Sequence, residues 1–241
     1  MGTYGYKCEE HEVTTKDGYI LGVQRIPVGR SPARNGGSGT PILLQHGLFM
    51  EYWDWSWDEL AEYDLPATVE YVYGHTGKQK LHYVGHSLGT LMALASFCHS
   101  ELQEMVISAV LLSPIAYSNK IGPATATKNI IHLSQMIRRG TLAKFDYDDC
   151  DKNTKHYGQE VPPAYDISSF PHDLPLLLGY GGEDGLSDGG DGLRLMDGLR
   201  FHDQHKLTVL YRLDYGHDDF IMAVNAKQLV YDRVIGFSKL H

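Results

Sequence analysis

The turn Gly-His-Ser-Leu-Gly at positions 85–89 constrains the fold of this chain more than any other feature. An apolar stretch at 81–84 precedes it, and a segment rich in small and apolar residues follows at 88–98. A G-x-S-x-G turn between a buried strand and a helix raises its serine out of the sheet, because the glycines let the backbone pass close to its neighbours. The short pattern recurs by chance, so the flanking segments support this interpretation against a simple strand-to-helix turn.

Strands and helices alternate along most of the chain, which predicts an α/β fold with a mostly parallel sheet and helices on both faces. We predict a single domain over 1–241, with an insertion at 115–170 that does not repeat the strand–helix unit. Asp64 is predicted to cap a second helical segment that holds Pro66 in its first turn. Strands are predicted at 12–15, 19–28, 41–45, 81–84, 106–113, 174–180 and 207–213, helices at 58–73, 88–98, 130–139, 193–199 and 219–237, and a polar loop at 146–159.

Composition excludes several classes of protein. The chain has 241 residues, of which 42% are hydrophobic and 21% charged, as in ordinary globular proteins and unlike disordered chains or coiled coils. Lys and Arg number 21 against 30 Asp and Glu, and the net charge of −9 argues against nucleic acid as a partner. No apolar stretch of about 18 residues predicts a transmembrane segment. The first ten residues lack the basic start and apolar stretch of a secretion signal. Three cysteines without a C-x-x-C spacing predict neither a zinc site nor a disulfide framework.

A nucleophilic serine at position 87 needs a base, and the base needs an acid to orient it. In a doubly wound sheet these groups lie on loops at the carboxyl ends of the strands, in the chain order Ser, acid, His. The loop after the strand at 207–213 has one histidine, His217. We interpret His217 as the base, and the alternative interpretation is that it is an ordinary histidine on a surface loop. The loop after 174–180 leaves several acids open, since each could be a solvated turn carboxylate: Glu183, Asp184, Asp188 and Asp191.

An oxyanion intermediate needs two or more N–H donors. We expect one from Leu88, which follows the serine, and one from Leu48, which follows the His46-Gly47 turn at the end of the strand at 41–45. The alternative interpretation is that Gly47 is an ordinary turn glycine, which ends the strand and has no role in binding the oxyanion. His86 is next to the serine but on a sharp turn, so we expect it to point elsewhere as a packed or hydrogen-bonded residue.

These residues together resemble the acid lipase family of α/β-hydrolases, which includes the lysosomal acid, gastric and plant triacylglycerol lipases, and the plant members in particular. The resemblance implies an α/β-hydrolase fold, Ser87 as nucleophile, Asp184 as acid, His217 as base, and the N–H groups of Leu48 and Leu88 as oxyanion donors. It implies hydrolysis of glycerol or sterol acyl esters, contact with a lipid–water interface, and no metal or organic cofactor. It also implies a secreted, lysosomal or vacuolar location. The stretches that support it are 12–19, 46–48, 55–68, 85–89, 181–184 and 217–220.

Three departures from the family distinguish this chain. The first residues do not have the pattern of the family's secretion signal, so we expect none here. Only Phe49–Tyr52 separate Leu48 from Trp53, where family members have a helix and a sheet strand. The segment between the serine and the acid is also short, so 115–170 corresponds to a reduced cap. We therefore expect an internally shortened member, in which the amino-terminal hairpin either moves to the third strand or leaves two edges exposed.

The expected function is that of a serine carboxylic ester hydrolase of lipid metabolism. The alternative is a non-catalytic remnant that acts at most as a lipid-binding module. The sequence makes no prediction of the oligomeric state. Three tryptophans alternate with polar residues at 53, 55 and 57; we expect at least two to be core residues, the alternative being that they line the acyl entrance.

Overall fold

The structure, a computed structural model, describes residues 5–29, 39–47, 55–98, 100–118, 120 and 127–241. Within these ranges five strands form a parallel sheet in the order β3-β4-β5-β6-β7, and two more form a separate antiparallel hairpin, β1-β2. None of the helices in these ranges is long and apolar enough to cross a lipid bilayer. The strands are β1 (Glu9–Thr14), β2 (Ile20–Arg25), β3 (Ile42–Gln45), β4 (Leu81–His86), β5 (Val106–Leu112), β6 (Leu176–Gly181) and β7 (Leu207–Arg212).

Helices connect the strands of the large sheet. The α-helices are α1 (Trp57–Glu59), α2 (Leu65–His75), α3 (Leu88–Ser96), α4 (Ser100–Gln103), α5 (Thr127–Arg139), α6 (Cys150–Tyr157), α7 (Gly189–Gly198), α8 (Asp219–Met222) and α9 (Asp232–Leu240). Shorter helical turns are a π turn at Leu60–Asp64, a 3₁₀ turn at Ile167–Ser169 and a second π turn at Lys227–Tyr231.

The central strands are apolar on both sides because helices cover both faces of the sheet. Alternate residues of β5 show this directly. Leu111 belongs to the large hydrophobic cluster that includes helix α3, whereas Val110 and Leu112 belong to a smaller cluster with Phe220 and Phe237 of the carboxyl-terminal helices. The predicted α/β class, with a mostly parallel sheet and helices on both faces, is confirmed.

Strand β3 forms one edge of the sheet. Among the described residues it pairs only with β4, and the hairpin β1-β2 does not join it. Leu43 faces the core, but Ile42 and Leu44 are 51% and 72% exposed on the other side of the strand. Of the two outcomes expected for a shortened sheet, the structure therefore has the one with separate exposed edges.

The helical segment predicted at 58–73 is present and begins at Trp57, one residue earlier than predicted. Ser56 begins it with a capping box, in which its backbone N–H and hydroxyl donate to Glu59 Oε2 at 2.8 and 2.6 Å. The prediction that Asp64 caps a second segment is wrong, because Asp64 has helical dihedral angles and makes no cap hydrogen bond. The chain instead continues through the π turn Leu60–Asp64, which changes the hydrogen-bond register just before Pro66, where the helix lacks an N–H.

Two other predicted elements differ from the structure. The predicted polar loop at 146–159 contains α6, which begins after Asp149, whose side chain accepts the N–H of Lys152 at 3.0 Å, and ends at Gly158 in a left-handed conformation. The helix predicted at 219–237 is broken at Ala223, which has extended dihedral angles.

Of the three tryptophans, Trp57 is fully buried and Trp55 is half-buried, while Trp53 lies outside the described residues. Trp57 stacks on His132 of helix α5, with ring centroids 4.9 Å apart. The core prediction is therefore met for Trp57, which holds the segment between β5 and β6 against the start of the first helical segment.

A buried carboxylate reinforces this contact. Asp58 is almost fully buried and accepts the backbone N–H of Phe145 at 2.6 Å and the hydroxyl of Tyr165 at 2.8 Å. Burial raises the pKa of Asp58 to about 7, although both hydrogen bonds oppose the rise. At mildly acidic pH the carboxyl is therefore protonated in the folded protein and ionised in the unfolded chain.

His132 lies beside this carboxyl, and its pKa is shifted in the opposite direction. Its Nε2–H donates to the carbonyl oxygen of Ala143 at 2.8 Å, and its Nδ1 is 4.0 Å from Asp58 Oδ2. Burial lowers the pKa of His132 to about 4, against the opposing effect of its hydrogen bond. The imidazole is therefore neutral in the folded protein at a pH where the unfolded chain protonates it.

Asp58 and His132 should give the free energy of unfolding opposite pH dependences that offset each other. Between about pH 4 and 6.5 the folded state binds the extra proton at Asp58, whereas the unfolded state binds it at His132. Asp58→Asn should therefore make stability rise with pH relative to the wild type, and His132→Gln should make it fall, each by up to about 1.4 kcal/mol per pH unit. Urea unfolding across this range measures both slopes. Equal slopes in both variants and the wild type would contradict the assignment.

Candidate active site

Ser87 lies between β4 and α3 in a strained backbone conformation. Its φ of 53° and ψ of −115° are rare for a residue with a side chain. A β-carbon added at Gly85 would lie 2.8 Å from the backbone of Gly89, and one added at Gly89 would lie 2.9 Å from the carbonyl oxygen of Gln45. Glycine at both ends of the turn therefore lets helix α3 start directly above the sheet, with Ser87 at its first turn.

Loops from three strands bring the predicted side chains together. The hydroxyl of Ser87 donates to His217 Nε2 at 2.8 Å, across 130 positions of sequence. The Nδ1–H of His217 donates to Asp184 Oδ2 at 2.9 Å, with Oδ1 at 3.1 Å. His217 follows β7 and Asp184 follows β6, so the geometry matches the loop positions from which the residues were predicted.

Asp184 is buried and surrounded by donors. Its Oδ1 accepts the backbone N–H groups of Leu186 at 2.8 Å and Ser187 at 3.0 Å. Burial by itself would raise the pKa of Asp184, but the hydrogen bonds from His217 and from these two N–H groups outweigh it and hold the pKa below its ordinary value. The side chain is therefore an ionised carboxylate at neutral pH.

The other acids of the same loop have different surroundings. Asp188 caps helix α7, since its Oδ1 accepts the N–H groups of Gly190 at 2.8 Å and Asp191 at 3.3 Å. Asp191 returns the bond by accepting the N–H of Asp188 at 3.2 Å. Glu183 is exposed. The sequence left four residues of this loop as candidates for the acid. Of these four, Asp184 is the one whose carboxylate accepts a hydrogen bond from His217.

The two predicted oxyanion donors differ in how far the structure describes them. Leu88 is the first residue of α3, and N–H groups in the first turn of a helix have no acceptor within it. Leu48 lies outside the described residues. Its neighbour Gly47 lies beside the serine, because a β-carbon added there would be 2.8 Å from Ser87 Cβ. The backbone of the His46-Gly47 turn therefore lies directly against the serine, which leaves no room for a side chain at position 47.

A narrow pocket opens beside Ser87. It holds about 20 Å³ of free space, enough for one water-sized group, whereas sites for drug-sized ligands are larger by an order of magnitude. Helix α5 supplies much of its apolar wall. The lining residues are Ser87, Ile115, Ser118, Lys120, Leu133, Met136, Ile137 and Leu186.

One group of side chains in the described ranges has the composition of a metal site. His86, His217 and Asp218 each offer a ligand atom, and these atoms lie within 4.8 Å of one another. Both ring nitrogens of His217 are already hydrogen-bonded, to Ser87 and Asp184. A cation bound here would have to displace one of these partners, so the arrangement favours the hydrogen-bonded chain over a metal centre.

Comparison with known proteins shows that the chain is similar to lipases and other α/β-hydrolases. A family model described as a partial alpha/beta-hydrolase lipase region matches residues 1–58, and one described as the alpha/beta hydrolase fold matches 34–150. Triacylglycerol lipase 2 of Arabidopsis thaliana is 35% identical, over 98% of this chain and 85% of its own. Human gastric triacylglycerol lipase is 26% identical, over 98% of this chain and 89% of its own. The Pyrococcus furiosus esterase Pf2001 shares the fold, with a TM-score of 0.66 at 15% identity, over 99% of this chain and 94% of that one.

These alignments also show the internal shortening. The match to the Arabidopsis lipase extends over 358 positions, but this chain has only 241 residues, so at least 117 of those positions have no counterpart here. The predicted shortening is confirmed. The identity and coverage of the plant relatives establish that this chain belongs to the acid lipase family of α/β-hydrolases, the family of the plant and gastric triacylglycerol lipases.

Proposed function

We propose that this protein is a serine carboxylic ester hydrolase of the lipase type, with Ser87 as nucleophile, His217 as general base and Asp184 as the acid that orients it. The observation that supports this most is the continuous hydrogen-bonded chain from the Ser87 hydroxyl through His217 to the buried Asp184 carboxylate. Its two links, 2.8 and 2.9 Å long, have the length and direction that such a mechanism requires.

The reaction proceeds in two halves. His217 Nε2 takes the hydroxyl proton of Ser87 as Ser87 Oγ attacks the carbonyl carbon of the ester. The resulting oxyanion accepts hydrogen bonds from the backbone N–H groups of Leu88 and Leu48. His217 then protonates the leaving alcohol, and the C–O ester bond breaks to leave an acyl-serine. Water, deprotonated by His217, attacks this intermediate and releases the carboxylic acid. Ser87 recovers its proton from His217 in the last step.

Asp184 contributes through His217. Its ionised carboxylate holds the Nδ1–H tautomer, which leaves the Nε2 lone pair directed at the serine. The negative charge also stabilises the imidazolium that forms in each half-reaction. The carboxylate itself keeps its charge throughout.

The substrate is proposed from the pocket and the relatives. Two plant relatives and the gastric enzymes are named triacylglycerol lipases, which supports acyl esters of glycerol as the substrate class, with sterol esters as the related class. We assign residues 115–170 as a reduced cap within a single domain over 1–241. The free space beside Ser87 is narrow, so a long acyl chain would lie largely outside it, in water. The family resemblance supports a lipid–water interface in a secreted, lysosomal or vacuolar setting as the place of action.

The second candidate function is a non-catalytic lipid-binding remnant. The loss of at least 117 aligned positions relative to the Arabidopsis lipase favours it, because a chain shortened by this much has less protein with which to cover an acyl chain. Reaction with an active-site-directed phosphonate separates the two functions, since only an assembled triad reacts.

A fluorophosphonate probe should label the full chain at Ser87. The probe forms a covalent bond to an activated serine, so labelling should be lost in Ser87→Ala and strongly reduced in His217→Gln. In-gel fluorescence and the mass of the modified peptide measure this. A folded wild-type protein that remains unlabelled would overturn the catalytic proposal and favour the lipid-binding remnant.

Asp184 and Asp188 offer a matched pair of acid variants on one loop. Asp184→Asn should lower kcat by about 10³- to 10⁴-fold, because the amide favours the wrong tautomer of His217. Asp188→Asn should change kcat less than twofold, because asparagine also caps a helix well. Hydrolysis of p-nitrophenyl acetate measures both. An equal loss in the two variants would contradict the assignment of Asp184.

Selectivity for acyl length should be shallow and should favour short esters. Each methylene that stays in water forgoes about 0.8 kcal/mol of binding free energy, so kcat/KM should not rise from p-nitrophenyl butyrate to palmitate. Met136→Ala, which shortens a side chain in the pocket wall, should shift the preference to longer esters. Ser87→Ala gives the background rate. A steady increase of kcat/KM up to palmitate in the wild type would show that the cap still encloses a long chain.

A further inference from the structure

The backbone carbonyl of His217 accepts hydrogen bonds from two side chains. The hydroxyl of Ser113 donates to it at 2.7 Å and the Nε2–H of His86 at 3.0 Å. Ser113 directly follows β5, and His86 is the last residue of β4, so the donors come from the ends of two adjacent central strands. The loop that holds the proposed base is therefore attached to the rigid part of the sheet at the base residue itself.

Ser113 adopts a conformation that directs its hydroxyl at this carbonyl. It is fully buried, has a φ of 51°, and donates its backbone N–H to the carbonyl oxygen of Gly179 on β6 at 2.7 Å. A left-handed conformation is unfavourable for a serine and persists only where surrounding contacts impose it. Ser87 has a similar φ of 53° at the end of the neighbouring strand β4. Two strained serines thus contact His217, one at its ring and one at its backbone.

His86 contributes the second donor without adding a charge. It is buried, and its ring centroid lies 5.1 Å from that of His217. Burial lowers the pKa of His86, although its hydrogen bond to the His217 carbonyl opposes this. The neutral ring donates from Nε2, so no positive charge lies beside the imidazole that must accept the proton of Ser87.

We propose that Ser113 and His86 are positioning residues, which set the backbone of His217 so that its ring reaches Ser87 and Asp184 together. This inference rests on the proposed function. The hydrogen bond that His217 Nδ1–H donates to Asp184 fixes the rotation of the ring, and the two bonds to the His217 carbonyl oxygen fix the backbone position from which the ring projects. The neighbouring bond from the Gly216 N–H to Asp219 Oδ2 at 2.7 Å joins the loop to the start of α8 and not to the sheet, so it would not replace them.

The chain contains a matched control pair on the same two strands. His82 of β4 and Ser108 of β5 are both buried, and His82 Nδ1 is hydrogen-bonded to Ser108 Oγ at 2.8 Å. This pair is nearer the opposite ends of the strands and does not contact the triad. Its loss should affect stability in the way that losing a buried His or Ser does, with no effect on the geometry of His217.

The test compares the two pairs by the rate of fluorophosphonate labelling and by kcat and KM on p-nitrophenyl acetate, with the melting temperature as a check of folding. Ser113→Ala and His86→Phe should each lower the labelling rate and kcat by about 10- to 100-fold, as expected for a small misplacement of a catalytic group, with KM changed less than threefold. His86→Gln, which keeps an N–H donor, should recover most of the rate, and Ser113→Cys, which keeps a weak S–H donor without a branch at the β-carbon, should recover part of it. Ser108→Ala and His82→Phe should leave kcat within twofold.

A double variant adds a readout that a purely structural role would not give. In Asp184→Asn the ring has already lost its orientation, so adding Ser113→Ala should cost less than it does in the wild type, whereas Ser108→Ala should be additive. Wild-type rates in Ser113→Ala and His86→Phe, or equal losses in the control pair, would overturn the positioning role while leaving the proposed function intact. An unlabelled wild-type protein would instead overturn the proposed function.

Discussion

The hydrogen bond between Ser87 and His217 depends on the parallel arrangement of the sheet. It joins residues 130 positions apart, and it forms because β4, β6 and β7 all end at the same edge. In a parallel sheet the loops that follow the strands all lie at the carboxyl ends of the strands. Residues that are distant in sequence can therefore meet there. The strained turn at Ser87 then places the hydroxyl above that edge, at the height of the loop that holds His217.

The same topology explains how the fold tolerates the loss of a large part of the family's chain. Strand β3 pairs in parallel with β4, and the helical segment from α1 to α2 connects them, which is an ordinary crossover between neighbours. The three side chains of the proposed triad follow β4, β6 and β7, and the sheet keeps these strands in the order β4-β5-β6-β7. Its structural effect falls on the other side, where Ile42 and Leu44 are exposed and the hairpin β1-β2 forms a sheet of its own.

The sequence predicted most of the site because its signals are local. An apolar strand followed by a glycine-rich turn identifies Ser87, and a strand followed by a lone histidine identifies His217. The choice of Asp184 among four acids needs either the family resemblance or the geometry, since a carboxylate in a turn looks alike whether it caps a helix, as Asp188 does, or bonds a histidine. The positions of the four acids in the sequence do not indicate which carboxylate of the loop after β6 faces His217.

Other features were beyond reach because tertiary contacts decide them. The break after α8 has neither glycine nor proline in 223–226, and at this break Asn225 Oδ1 accepts a hydrogen bond from the hydroxyl of Tyr215, which precedes α8, at 2.8 Å. Helix α6, by contrast, has local signals in Asp149 and Gly158 that its polar composition concealed. The two donors to the His217 carbonyl could not be predicted, because no sequence pattern indicates where a backbone oxygen points.

Helix α5 connects the contacts with Trp57 and Asp58 to the pocket beside the serine. His132 stacks on Trp57 and lies beside Asp58, while its neighbours Leu133 and Met136 line the pocket. Leu133 is adjacent in sequence and Met136 lies one helical turn away, so a shift of the anchored face of α5 moves the pocket wall with it. By fixing α5 against the first helical segment, the buried Asp58 and His132 therefore also fix the position of the pocket wall that Leu133 and Met136 supply beside Ser87.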